Sequence, residues 1–170
     1  MIEGAILYSS FAFLKHFNSA GKNKLININA GINFSAIDET LHSQAGAWLF
    51  RTLLQEAEES GQVTNIFLSE LLLELENTAK VILEHESVII DKIFEKGHIK
   101  GITENQLKHF VESRLDICLE NLGFKGIFKP AYNPIKSWFY KDLESSTLHD
   151  FFSSTGSDYN RAWSEGKFTW

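Results

Sequence analysis

The sequence predicts an all-α fold, and three observations carry that prediction. There are only two prolines, and the eleven glycines gather near segment ends, so long stretches rich in Leu, Ile, Ala, Glu and Lys run without a breaker. Within those stretches apolar residues recur at three- and four-residue spacings, the period of an amphipathic helix. Finally, 170 residues with 44% hydrophobic and 13% aromatic content suffice for one domain with a sizeable core and argue against disorder.

The first helix is expected from about Ile2 to Phe17. Its apolar residues Ile2, Ile6, Leu7, Phe11, Phe13, Leu14 and Phe17 fall on nearly every face, the pattern of a central, buried helix. It starts without an N-cap or a preceding turn, which points to a missing upstream element. Glu3 is its only acid, and a carboxylate in so apolar a cylinder needs a cation or a hydrogen-bonding partner. Asn18 to Lys24 form the connecting loop. The second and longest helix runs from about Leu25 to Ser60, with Ile28, Ile32, Ala36, Glu39, His42, Gly46, Leu49 and Leu53 along one stripe.

Gly61 stops that helix. Thr64 or Asn65 caps a third, which carries Leu68, Leu72, Leu75, Ala79, Ile82 and Ile89 to Lys96-Gly97. Thr103-Glu104-Asn105-Gln106 has the form of a helix start, and Leu107, Phe110, Val111, Arg114, Leu115 and Cys118 extend a fourth helix to Asn121-Leu122-Gly123. A short aromatic helix, Ile135 to Leu143, follows Pro130 and Pro134. One domain is therefore expected over residues 1–143. Residues 144–170 read as a flexible tail, in which Phe151, Phe152, Tyr159, Trp163, Phe168 and Trp170 stand isolated among Ser, Thr, Gly and Asp. Terminal aromatics on a polar tether suit docking into a partner's groove.

Charge and cysteine content narrow the function. A net charge of −6, with no basic stripe, gives no footprint for nucleic acid. The opening apolar run lacks the basic front of a signal peptide and is too short to span a bilayer. The single Cys118 excludes an internal disulfide framework and suits a reducing compartment. A cytoplasmic location is the expectation.

Chemistry concentrates at Asp38-Glu39-Thr40-Leu41-His42. The Glu39-x-x-His42 spacing sets a carboxylate beside an imidazole on one helix face. Such pairs assemble the metal centres of di-iron and di-manganese bundle proteins, two helices giving Glu-x-x-His and two others one acid each. An ordinary i,i+3 surface pair is the competing reading. His85, flanked by Glu84 and Glu86, reads as a surface charge cluster. Glu95-Lys96-Gly97-His98 repeats the spacing, but Gly97 should end the helix and carry His98 off the face.

Glu3-Gly4 with Tyr8-Ser9-Ser10-Phe11-Ala12-Phe13, then Asp38-Glu39-x-x-His42, Asn133-Pro134-Ile135 with Trp138, and Asp150-Phe151-Phe152 with Tyr159 resemble the C-terminal half of the small, radical-generating subunit of class I ribonucleotide reductase. The resemblance implies a ferritin-like helical bundle, present as its C-terminal half, and an extended tail. It implies that Glu3, Glu39 and His42 bind metal in a dinuclear iron or manganese centre, with Glu39 as bridge. Asp38 and Tyr159 would then carry the oxidising equivalent outward, and Phe168 and Trp170 would dock on the large subunit. Ile37 departs from the Arg that many relatives carry before the Asp. The upstream ligands are not in this chain, so the expected partners are a separately encoded N-terminal half and the large subunit, in a dimer of the assembled small subunit. The alternatives are another di-metal carboxylate oxidase or ferritin-like protein, or a catalytically inactive helical assembly module.

Overall fold

The structure, a computed structural model, describes residues 2–141 and residue 143. Among these residues all regular structure is helical: α1 (Ile2–Ala5), α2 (Tyr8–His16), α3 (Ile26–Glu59), α4 (Asn65–Phe94) and α5 (Glu104–Asn121), with a 3-10 turn over Ser19–Gly21. A last helical stretch covers residues 134–141. The expected tail, with Tyr159, Phe168 and Trp170, lies outside the described residues.

α5 is the hub. Its start is fixed by a capping box in which the Thr103 hydroxyl accepts from the Gln106 N–H at 3.3 Å and the Gln106 side chain accepts from the Thr103 N–H at 3.0 Å, satisfying two donors that a helix start leaves free. From there Leu107, Phe110, Val111, Leu115 and Leu119 are fully buried, each worth about 1.5–3 kcal/mol of apolar burial. α5 packs against α1, α2, α3 and α4, whereas α3 meets α1, α2 and α5, and α4 meets α2 and α5. Phe139, from the stretch after Asn133, closes the core against Phe110 at a ring-centroid distance of 4.9 Å.

The expected continuous helix from Ile2 to Phe17 is broken. Leu7 adopts a left-handed conformation, φ 70° and ψ −7°, and separates α1 from α2 at a cost of about 1–2 kcal/mol for a residue with a side chain. The expectation of all-round burial is corrected too. The buried face is small and polar, with Gly4, Ala5, Tyr8, Ser9, Ala12, Lys15 and His16, while Ile2 is 63% and Leu7 46% exposed. The stripe predicted on α3 is likewise only partly inward: Ile32 and Ala36 are buried, but Ile28, Leu49 and Leu53 are exposed. Packing alongside Ala36 falls instead to Asn29 and Asn33.

Two polar anchors hold the loops. Asp116 on α5 accepts from the Ile127 N–H at 2.8 Å, the Phe128 N–H at 3.0 Å and the Lys129 N–H at 2.8 Å. Gly126 permits this approach, since a Cβ there would stand 2.6 Å from Asp116 Cγ. His16, buried, places Nε2 3.1 Å from the Lys100 carbonyl, and the Lys22 ammonium lies 3.0 Å from the same nitrogen. Burial holds the His16 pKa below its usual value; the Lys100 carbonyl opposes this and Lys22 reinforces it.

Asp116→Ala would orphan three part-buried N–H groups and should cost about 3 kcal/mol in urea unfolding. The His16 shift gives a pH dependence. Its folded pKa is depressed, so its contribution to stability is present above the unfolded value of about 6.5 and is lost as pH falls through the folded value. The urea midpoint should therefore drop on going down from pH 7 through that window, and His16→Gln should flatten the slope.

Candidate metal centre

The break at Leu7 and the length of α3 bring three side chains together. Glu3 from α1 and Glu39 and His42 from α3 each offer a ligand atom, and these atoms all lie within 4.8 Å of one another. His42 Nδ1 stands 3.9 Å from Glu39 Oε2, as the i,i+3 spacing on one helix face dictates. Glu39 is half-buried, whereas Glu3 and His42 are exposed, so the group faces outward on one side. The apolar Ile2, Leu7 and Leu41, the last 61% exposed, share its surroundings in sequence and stand open.

Close packing beneath the group fixes α1. A Cβ on Gly4 would lie 2.4 Å from Cys118 Sγ and 2.5 Å from Ser43 Oγ, so only glycine lets α1 settle between α3 and α5. One turn further on, the buried Tyr8 places its hydroxyl 2.9 Å from Thr40 Oγ1 and donates to the Ala36 carbonyl at 3.3 Å, pinning α2 to the turn of α3 that carries Glu39. The Arg114 guanidinium lies 4.1 Å from the Tyr8 ring centroid and hydrogen-bonds the Tyr140 hydroxyl at 3.0 Å. Burial raises the Tyr8 pKa, with Arg114 opposing it, so the phenol is neutral at physiological pH. Beside Glu3 and His42 a largely apolar cleft of about 500 Å³ runs past Phe50, Leu75, Cys118 and Leu122.

Other predicted residues are placed differently. Asp38 is exposed and points from a neighbouring face of α3, as adjacency to Glu39 requires. His98 is exposed and follows Gly97 at φ 107°, off the helix as expected. His85 and Glu84 are exposed, but Glu86 is not a surface residue: it is fully buried. The correction was legible in spacing, because Ala79, Ile82, Glu86 and Ile90 share the inward stripe of α4. Gly4 escaped sequence reasoning because close approach leaves no periodic signature, and the capping of Leu7 and Ser9 by Glu86 escaped it because those segments are far apart in sequence.

Gly4→Ala should lower stability by about 1–3 kcal/mol through overpacking, read as a thermal shift. Adding Cys118→Ala and Ser43→Ala, which remove both clashing atoms, should recover most of that loss.

Residues 1–134 match the family model described as "Ribonucleotide reductase, small chain". The chain is 28% identical over 169 residues to the "Probable ribonucleoside-diphosphate reductase small subunit 048L" of Invertebrate iridescent virus 3, a match covering 99% of this chain and 43% of that protein. It is 26% identical over 190 residues to the "Probable ribonucleoside-diphosphate reductase small subunit 376L" of Invertebrate iridescent virus 6, covering 99% of this chain and 50% of that protein. The chain thus spans about half the length of the curated relatives it matches. With an all-helical fold and a Glu-Glu-His group carried on α1 and α3, the chain belongs to the ribonucleotide reductase small-chain family.

Proposed function

We propose that Glu3, Glu39 and His42 hold one ion of a dinuclear iron or manganese centre, and that this chain supplies the downstream half of the metal-binding bundle of a ribonucleotide reductase small subunit. The observation that carries this reading is the convergence of the three ligand atoms within 4.8 Å in a member of that family. The donor set fits the group. Donors about 2.1 Å from an ion sit roughly 3–4 Å from one another, so side-chain movement of less than about an ångström closes the site. Carboxylate and imidazole ligands suit iron and manganese. When bound, the metal pair supplies the oxidising chemistry that ribonucleotide reduction requires.

The chain's own residues do the positioning. Glu39, with two carboxylate oxygens, and His42, through one ring nitrogen, would hold the metal together with Glu3. The half-site is open, and exposed Ile2, Leu7 and Leu41 accompany charged ligands, a combination that marks a protein interface. The remaining ligands come from protein corresponding to the other half of the relatives' length, an N-terminal half on a separate polypeptide. Asp38, adjacent to Glu39 and exposed, is the outlet for the oxidising equivalent. Tyr159 carries it onward in the tail, where Phe168 and Trp170 dock on the large subunit. No helix among the described residues is long and apolar enough to cross a membrane, and a cytoplasmic site of action accompanies this reading.

Co-expression with an N-terminal half should yield a stable complex with stoichiometric iron or manganese, measured by plasma emission. Glu39→Ala should abolish loading. Tyr159→Phe should load normally yet stop turnover with the large subunit, and a pair that never associates or binds no metal would refute the reading.

A further inference from the structure

We propose that Glu86 of α4 and Arg114 of α5 are positioning residues for the metal centre: together they hold the backbone break at Leu7 and so set Glu3 in register with Glu39 and His42. This inference rests on the metal-binding reading above. A continuous α-helix from Ile2 would pair the Leu7, Tyr8 and Ser9 N–H groups with the carbonyls of Glu3, Gly4 and Ala5. The left-handed Leu7, at φ 70°, interrupts that ladder and leaves buried backbone groups in need of partners.

The partners are charged side chains from two other helices. The Leu7 N–H donates to Glu86 Oε1 at 3.1 Å and the Ser9 N–H to Glu86 Oε2 at 3.1 Å. On the acceptor side, Arg114 Nε donates to the Gly4 carbonyl at 3.0 Å. A carboxylate thus meets two of the freed donors, those of Leu7 and Ser9, and a guanidinium meets one freed acceptor, the Gly4 carbonyl, each by a charge-assisted bond. Leu7 itself caps α2 with no side-chain hydrogen bond, so Glu86 performs from α4 what an N-cap residue performs locally. Glu86 is fully buried and Arg114 is 4% exposed. Their placement bears on Glu3 directly. Gly4, whose carbonyl Arg114 holds, is the next residue, and α1 is only four residues long, so any rewinding at Leu7 rotates Glu3 about the helix axis by roughly 100° per residue.

The test uses the full chain, Mn²⁺ titration followed by the electron paramagnetic resonance of the free ion, and amide exchange at Leu7 and Ser9. In Glu86→Gln the side-chain amide cannot accept from both N–H groups. The Leu7 and Ser9 amides should exchange at least about tenfold faster, and Mn²⁺ should bind roughly tenfold more weakly, the scale of outer partners at metal sites. Adding Leu7→Gly, which makes the left-handed conformation free of side-chain strain, should restore most of the affinity. Asp116→Ala, which loosens the loop anchor at residues 127–129 and makes no bond to α1 or α2, should leave Mn²⁺ affinity unchanged. Wild-type Mn²⁺ affinity and exchange rates in Glu86→Gln would overturn the proposal. Should Glu86→Gln fail to fold, Arg114→Lys decides, since an unchanged Mn²⁺ affinity there would overturn the pair's role. If Glu39→Ala binds Mn²⁺ as tightly as wild type, the metal reading itself fails, and the exchange rates still report whether Glu86 holds the break.

Discussion

Buried backbone N–H and carbonyl groups must find partners, and the left-handed Leu7 releases several of them at the junction of α1 and α2. Their satisfaction by Glu86 and Arg114 ties three helices to one point. α4 contributes the carboxylate, α5 the guanidinium, and the broken helix lies between them. Charged side chains are costly to bury unmatched, and the break supplies Glu86 with two N–H donors and Arg114 with a carbonyl acceptor.

Around that point, small residues do the close packing. Gly4 admits Cys118 Sγ and Ser43 Oγ, and Ala5, Ala12, Ala36 and Ala79 are fully buried, so helices approach where bulk would hold them apart. Large apolar residues are displaced to the outside as a consequence. Ile2, Leu7 and Leu41 near the ligand group and Ile28, Leu49 and Leu53 along α3 stand exposed. Such exposed apolar residues are the kind of surface that suits contact with further protein.

The Glu-Glu-His group sits where these two properties meet. Its geometry is set from within, by the pinned α1 and by the Tyr8 hydroxyl held against Thr40 and Ala36. Its outer side is open, with His42 and Glu3 exposed. The chain spans about half the length of its viral relatives. The tight approach of α1, α3 and α5 sets Glu3 beside Glu39 and His42.

Much of this was legible in the residues. Helical periodicity and the caps at Thr64 and Thr103 located α3, α4 and α5 to within a residue or two, because capping is local chemistry. The i,i+3 spacing put Glu39 beside His42 for the same reason. What the sequence could not supply was the break at Leu7, since a left-handed leucine is locally unfavourable and its partners are distant, Glu86 lying 79 residues from Leu7 and Arg114 lying 110 from Gly4. Nor could it show that the buried Glu86 would accept from the Leu7 and Ser9 N–H groups. The sequence by itself determined which stretches are helices and which residues could bind a metal. The tertiary structure alone decided how α1 is aimed, and therefore whether Glu3 reaches Glu39 and His42, because that direction depends on hydrogen bonds between distant segments.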